Sequence, residues 1–343
     1  MEEEPLIGFI TDTEGNFDYW RACVEDSRVV SFNAEGDLVF ARPSSRDVFV
    51  FGGDVFDKGP GDMRIASALV RFRVAHRDRV FLLVGNRDLN KLRLTAELTE
   101  SGIDVPQPVP LYPRSPPQLS YRAFLEKVAK AQGISVEEAD GAANRLRWIL
   151  DHTMTANGAF ELRRSELAMT GARGGRLWQA ALRPSIEAGS EQEPPTDEDV
   201  VRSFLESVEL EDGFVWQYLD QGQVALVLGD TLFVHGGVMF DSLGWIPQVD
   251  MLYRAPSEGA ECGGRYLQEG HSIDEWVDAL NAAYREGLKD FRRQPSWFAG
   301  EERKRGGEML LCLTSTPACF SRSVVVESMI QAGMPIEEDP RIA

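Results

Sequence analysis

Asp12, Asp54, Asn86 and His235 offer two carboxylates, an amide oxygen and an imidazole, and each stands at or directly after the end of a short apolar run. Oxygen and nitrogen donors of this kind suit a hard or borderline divalent cation. A single Asp behind an apolar run ordinarily caps a turn or a helix. Four donors on four runs, two of them directly behind Gly, exceed what capping needs. Open α/β sheets bind ligands at the carboxyl ends of their strands, so these donors are placed where a ligand would be. Lys58, Arg87, Asp88 and Arg254 are further charged residues that follow these donors in sequence.

The elements that must position these residues are short. Runs 6–10, 47–51 and 79–84 read as buried strands from their length, their Val/Ile/Phe content and the Gly that closes two of them. Ile65, Leu69, Val70 and Phe72 at helical spacing predict a crossover helix over 63–75, which completes a β-α-β unit. Residues 224–228 and 231–235, joined by Gly229-Asp230, predict an antiparallel hairpin, and 308–314 predicts one more strand. Between 98 and 214 a Pro-rich stretch leads into helical periodicity. Helices are expected over 120–132 before Gly133, from the Ser135/Glu138 capping box through Leu146 and Leu150, and from Thr196 with three acids in its first turn. Segment 189–195 has almost nothing to bury and reads as a solvated loop, and Ser272 and Glu275 open a helix that buries Trp276, Leu280 and Tyr284. The expected division is 1–97 as a first β-α-β half, 98–214 as a helical insertion capping the site, and 215–343 as the second half.

Four ordered motifs carry a family resemblance. Asp12-Thr-Glu-Gly-Asn16, Gly53-Asp-Val-Phe-Asp-Lys-Gly-Pro60, Gly85-Asn-Arg-Asp88 and Val234-His-Gly-Gly237 resemble D-x-H-G-N, G-D-x-x-D-R-G-P, G-N-H-E/D and H-G-G of the calcineurin-like metallophosphoesterases. The branch they resemble most holds the Ser/Thr protein phosphatases and the diadenosine tetraphosphate hydrolases. This resemblance implies an α/β fold, a calcineurin-like four-layer α/β/β/α sandwich, here with a helical insertion, and a dinuclear site. Asp12 and Glu14 would hold the first metal, Asp54 would bridge, and Asn86 and His235 would hold the second. Two cations sharing a carboxylate bind phosphoryl oxygens, lower the pKa of a water between them and stabilise an in-line displacement. Asp57 would support the loop.

Where the motifs differ, the expected chemistry shifts. Glu14 in place of a His changes a nitrogen donor to oxygen, favouring Mn²⁺ or Mg²⁺, with Zn²⁺ or Fe²⁺ as the alternatives. Arg87 stands where the family has a His that assists the leaving group; it can clamp a phosphate oxygen but stays protonated, and Asp88 is expected to orient it. Lys58 replaces an Arg and offers a point charge. Arg254 is the remaining candidate phosphate contact. The family places further histidines near the carboxyl end, often as G-H, and no His follows His271 here. His271 itself, in a Gly-flanked loop, is one more residue to locate, whereas His76 and His152 read as helix-end residues.

The balance of 36 Lys+Arg against 55 Asp+Glu, a net charge of −19, argues against a nucleic-acid duplex or an anionic membrane as partner. No apolar run reaches the length of a membrane helix and the amino end lacks a basic n-region, so a cytoplasmic location is expected. Cys23, Cys262, Cys312 and Cys319 show no C-x-x-C spacing and read as reduced thiols. Neither a P-loop nor a dinucleotide glycine motif follows any predicted strand, which sets aside a nucleotide-binding doubly wound fold. The expected function is a metal-dependent phosphoesterase acting on a phosphorylated small molecule, a dinucleoside polyphosphate or a phosphoprotein. The rival is a non-catalytic scaffold of the same fold that binds a phosphorylated ligand.

Overall fold

The apolar runs near the amino end become neighbouring parallel strands. The computed structural model describes residues 4–98, 119–171, 193–248, 264–295, 306–307, 309–310, 313 and 322–326. In chain order the first part runs β1 (Ile7–Ile10), α1 (Phe17–Glu25), β2 (Val30–Phe32), β3 (Leu38–Phe40), β4 (Val48–Phe51), α2 (Asp62–Ala75) and β5 (Val80–Leu83). Short helices α3 (Asn86–Asn90) and α4 (Leu94–Glu97) follow, then α5 (Tyr121–Gln132), α6 (Val136–Ala139), α7 (Ala142–Trp148), α8 (Ala159–Thr170), α9 (Asp197–Ser207) and α10 (Phe214–Gln221). The last part holds β6 (Gly222–Gln223), β7 (Ala225–Leu228), β8 (Thr231–Val234), β9 (Trp245–Pro247), β10 (Gly264–Tyr266) and α11 (Ile273–Arg293).

Strands β1, β4, β5 and β6 form one sheet in that order, and every pairing in it is parallel. Alternation along the strands sends side chains to two different cores. Phe49, Phe51, Val80 and Leu82 join the main core under the helices, where the Phe51 ring lies 6.1 Å from Trp20 and 6.3 Å from Tyr218. Val50 and Leu83 face the other way and pack on Leu226 of the β7/β8 hairpin, with Phe81, Leu228 and Phe233 around them. The hairpin turns at Gly229, whose φ of +63° is the left-handed conformation such a two-residue turn requires. Helix α11 secures it: the Asn281 amide accepts from Val224 N at 2.9 Å and donates to Ala225 O at 2.9 Å. The result is a mixed α/β fold with helices on one face of a parallel sheet and a β layer on the other, as the sequence led us to expect.

Helix α5 begins at Ser120, whose hydroxyl accepts from Ala123 N, and ends at Gly133 in the left-handed conformation. Helix α9 opens with the Thr196/Asp199 capping box and α11 with Ser272/Glu275. Two expectations need correction. The helix expected from Ser135 onward is broken after one turn: Asp140 turns extended, its carboxylate accepting from Tyr121 OH at 2.7 Å, and a second helix starts after Gly141. Segment 308–314 is not a strand in its described residues, since Met309, Leu310 and Leu313 are helical and buried. Pro-rich 105–117 and most of 189–195 lie outside the described residues. Among the described residues no helix is long and apolar enough to cross a membrane.

Phe51→Ala should remove a fully buried ring between α1 and α10. Urea unfolding should read a loss of about 3–5 kcal/mol. A loss below about 1 kcal/mol would mean that this face of the sheet is not the main core.

Candidate metal centre

Four acidic residues on two loops adopt a backbone conformation that glycine usually takes. After β1, Asp12 and Glu14 have φ of +53° and +43°; after β4, Asp54 and Asp57 have +54° and +139°. Non-glycine residues held this way cost about 1–3 kcal/mol each and cluster at functional sites. The surrounding structure imposes the strain by zipping the loops together. Asp12 N donates to Gly53 O at 3.0 Å, Glu14 N to Asp54 O at 2.9 Å, Gly15 N to Val55 O at 2.6 Å and Lys58 N to Glu14 O at 2.6 Å. Gly59 lies directly against the first loop: a Cβ there would stand 2.1 Å from the Gly15 carbonyl. The third loop is tied in by Asp88, a fully buried carboxylate that accepts from Gly85 N, Asp54 N and Val55 N at 2.8–3.0 Å.

These loops bring Asp12, Asp54 and His235 together, with one donor atom from each lying within 4.8 Å of the others. His235 Nε2 is 3.4 Å from Asp54 Oδ1 and 3.3 Å from Asn86 Oδ1. Its Nδ1 lies 2.8 Å from Gly52 O, which assigns the proton to Nδ1 and directs Nε2 to the cluster. Burial alone would push the His235 pKa down, yet Asp54, Asp12 and Asp88 raise it to about 10. Burial and the charge of Asp54 push Asp88 up to about 7. Asp54 is itself penalised by burial, but His235 and Arg87 bring it below the ordinary carboxylate range. Carboxylate and amide oxygens, with the His235 imidazole once Nε2 gives up the proton that the surrounding carboxylates hold on it, are a donor set that fits a divalent cation.

Glu14 is placed differently from Asp12. Its Oε1 is 3.0 Å from Arg87 Nε and its Oε2 2.7 Å from Lys58 Nζ. Arg87 also reaches Asp57 Oδ2 at 2.8 Å and Asp54 Oδ2 at 3.5 Å, while its own amide donates to Asp54 Oδ1 at 3.0 Å. Asp57 is buried between Arg87 and Lys91, which supports the loop as expected. Arg87 is thus oriented by Glu14, Asp54 and Asp57. Asp88, expected to orient it, instead holds loop backbone. Lys91 had no motif to signal it, because nothing in Asn90-Lys-Leu indicates that this lysine is buried on Asp57. Arg254 lies outside the described residues, as do Cys262, Cys312 and Cys319. His271 is part of a loop over Gly244, its Nδ1 at 3.0 Å from Gln268 O. His76 caps α2 with its ring edge-on to Phe40 and Phe72, and His152 lies edge-on to Phe124.

A family model described as calcineurin-like phosphoesterase matches residues 5–179, slightly more than half of the 343 residues. The chain belongs to the calcineurin-like phosphoesterases. No curated protein and no solved structure matches it. Membership implies a phosphoesterase that uses divalent metal, and the Asp12/Asp54/His235 cluster is a candidate place for it.

Gly59→Ala should leave the sheet folded and separate the first two loops of this phosphoesterase site. Mn²⁺ affinity by calorimetry should fall at least about tenfold, the scale of losing a supporting contact. Unchanged affinity would mean that the loop contact at Gly59 is not needed for the cation pocket.

Proposed function

We propose that the protein is a metal-dependent phosphoesterase whose cation is held by Asp12, Asp54 and His235, with Asn86 beside them. The observation that carries this is the convergence of those donors next to a guanidinium, Arg87, held at three carboxylates. A bound divalent cation supplies Lewis-acid activation of water and of the phosphoryl group. Mn²⁺ or Mg²⁺ suits a set in which oxygen donors outnumber nitrogen.

The chain's own residues do the rest. Asp54 keeps its carboxylate charged through His235 and Arg87. Arg87 positions a phosphate oxygen and stabilises the charge that develops on it, without giving up a proton. Lys58, about half exposed on Glu14, adds a point charge at the rim. Glu14, paired here with Lys58 and Arg87, would have to exchange them to serve as a metal ligand. The net charge of −19 disfavours highly charged ligands at long range. A phosphorylated small molecule is therefore a better substrate class than a dinucleoside polyphosphate or a phosphoprotein. The second reading, a binding protein of the same fold, draws on Arg87 alone, a cation where the family places a proton-handling group.

With p-nitrophenyl phosphate and saturating Mn²⁺, Asp54→Asn should lower kcat by at least about 100-fold. Because Arg87 cannot protonate a leaving oxygen, aryl esters with acidic leaving groups should be cleaved much faster than alkyl esters, and Arg87→His should narrow the gap. Wild-type turnover in Asp54→Asn would refute the metal site. No turnover by the wild type with any ester, alongside tight phosphate binding, would favour the binding protein.

A further inference from the structure

A buried charged network outside the candidate site reaches into its second loop. Asp62 begins α2, and its Oδ1 accepts from the strained Asp57 amide at 3.1 Å. Its Oδ2 lies 2.9 Å from Arg163 Nη2 on α8. Arg163 is in turn fixed by Ser203 Oγ at 3.0 Å on α9 and lies over the Phe204 and Phe214 rings. Asp62 also presses on the first loop, since a Cβ on Gly15 would meet its Oδ1 at 2.1 Å. Arg163 and Asp62 are 3% and 5% exposed, so neither is a surface ion pair.

We propose that Arg163, acting through Asp62, is a positioning residue for the phosphate-binding side chains. The inference rests on the reading of Arg87 as the phosphate contact. The connection runs through one peptide. Asp62 fixes the Asp57 amide, and the Asp57 carboxylate holds both Arg87 and Lys91. Turning the Asp57 backbone moves the carboxylate that anchors the guanidinium. A fork of two guanidinium nitrogens on Ser203 and Asp62 specifies direction as well as charge, which a point charge or an apolar contact would not do. Stability alone gives no reason for the pair, because buried ion pairs are commonly matched or bettered by packed apolar residues. Glu166, one turn along α8, provides a control within the same network. Its carboxylate accepts from Met63 N and Arg64 N at 3.1–3.2 Å and so caps α2; its Oε2 is also 3.7 Å from Arg163 Nε, beyond hydrogen-bond distance, and none of its described hydrogen bonds reaches the Asp57 peptide.

The test is calorimetry on the full chain, measuring Mn²⁺ binding first and then inorganic phosphate binding to the Mn²⁺-loaded protein. Asp62→Ala should raise the phosphate Kd about tenfold, the scale of a lost supporting contact, and leave the Mn²⁺ Kd within about twofold. Arg163→Lys, which keeps the charge without the fork, should fall between Asp62→Ala and wild type. Glu166→Gln should lower the melting temperature and leave both constants within about twofold. A wild-type phosphate Kd in both Asp62→Ala and Arg163→Lys would overturn the proposal. So would equal weakening of Mn²⁺ and phosphate, which is the mark of general loosening. If Asp62→Ala does not fold, Arg163→Lys decides by the same two constants. A wild-type protein that binds neither Mn²⁺ nor phosphate would instead overturn the phosphoesterase reading beneath the proposal.

Discussion

Carboxylates crowd together at the carboxyl edge of the parallel sheet, and positive charge must hold them there. Asp12 and Glu14 come from the loop after β1, Asp54 and Asp57 from the loop after β4, and Asp88 from the first turn of α3 after β5. Left alone, such a group would separate or take up protons; burial first and then the charge of Asp54 raise Asp88 to about 7. The protein answers with His235 against Asp54, Arg87 among Glu14, Asp54 and Asp57, Lys58 on Glu14 and Lys91 on Asp57. Among the described residues, Asp12, Asp54 and His235 bring one donor atom each within 4.8 Å of the others, with Arg87 at the edge of the group on Asp54. That convergence of oxygen and nitrogen donors is what makes the cluster a place for a cation.

The rest of the site follows from keeping these charges at fixed distances. A parallel sheet aligns the strand ends, so loops leaving β1, β4 and β5 start at neighbouring points. Backbone hydrogen bonds between the first two loops and the Asp88 carboxylate between the second and third hold a conformation that four acids would not adopt unaided. The hairpin that ends at His235 is set against the opposite face of the same sheet by Val50, Leu83 and Leu226. A shift in that packing would move the imidazole relative to Asp54, so the apolar layer and the polar cluster form one mechanical unit.

Much of this was legible from residue type and spacing. Strands β1, β4 and β5, the crossover helix and the Gly229 hairpin carry apolar runs and turn residues, and the four motifs pointed to Asp12, Asp54, Asn86 and His235, whereas the short β2, β3, β6, β9 and β10 gave no such run and the apolar run at 308–314 is helical in its described residues. What escaped was whatever depends on partners distant in sequence. Helix α8 has no clear apolar stripe because its buried face includes Arg163 and Glu166, which become compatible with burial only beside Asp62 and the start of α2. The pairing of Glu14 with Lys58 and Arg87, 44 and 73 residues away, could not be read from its motif position. Asp88 is adjacent to Arg87 in sequence, yet helix α3 turns its carboxylate toward the loop backbone. The helix break at Asp140 likewise depends on Tyr121, a partner that local periodicity does not reveal.

The central claim is that Asp12, Asp54 and His235 hold a divalent cation at this edge. Anomalous diffraction at the manganese edge from crystals grown with Mn²⁺ tests it most directly. The account predicts one strong peak within coordination distance, about 2.0–2.3 Å, of a carboxylate oxygen of Asp12, a carboxylate oxygen of Asp54 and His235 Nε2, with Glu14 still on Arg87. Absence of a peak there at saturating Mn²⁺, or a peak held by other residues, would contradict it.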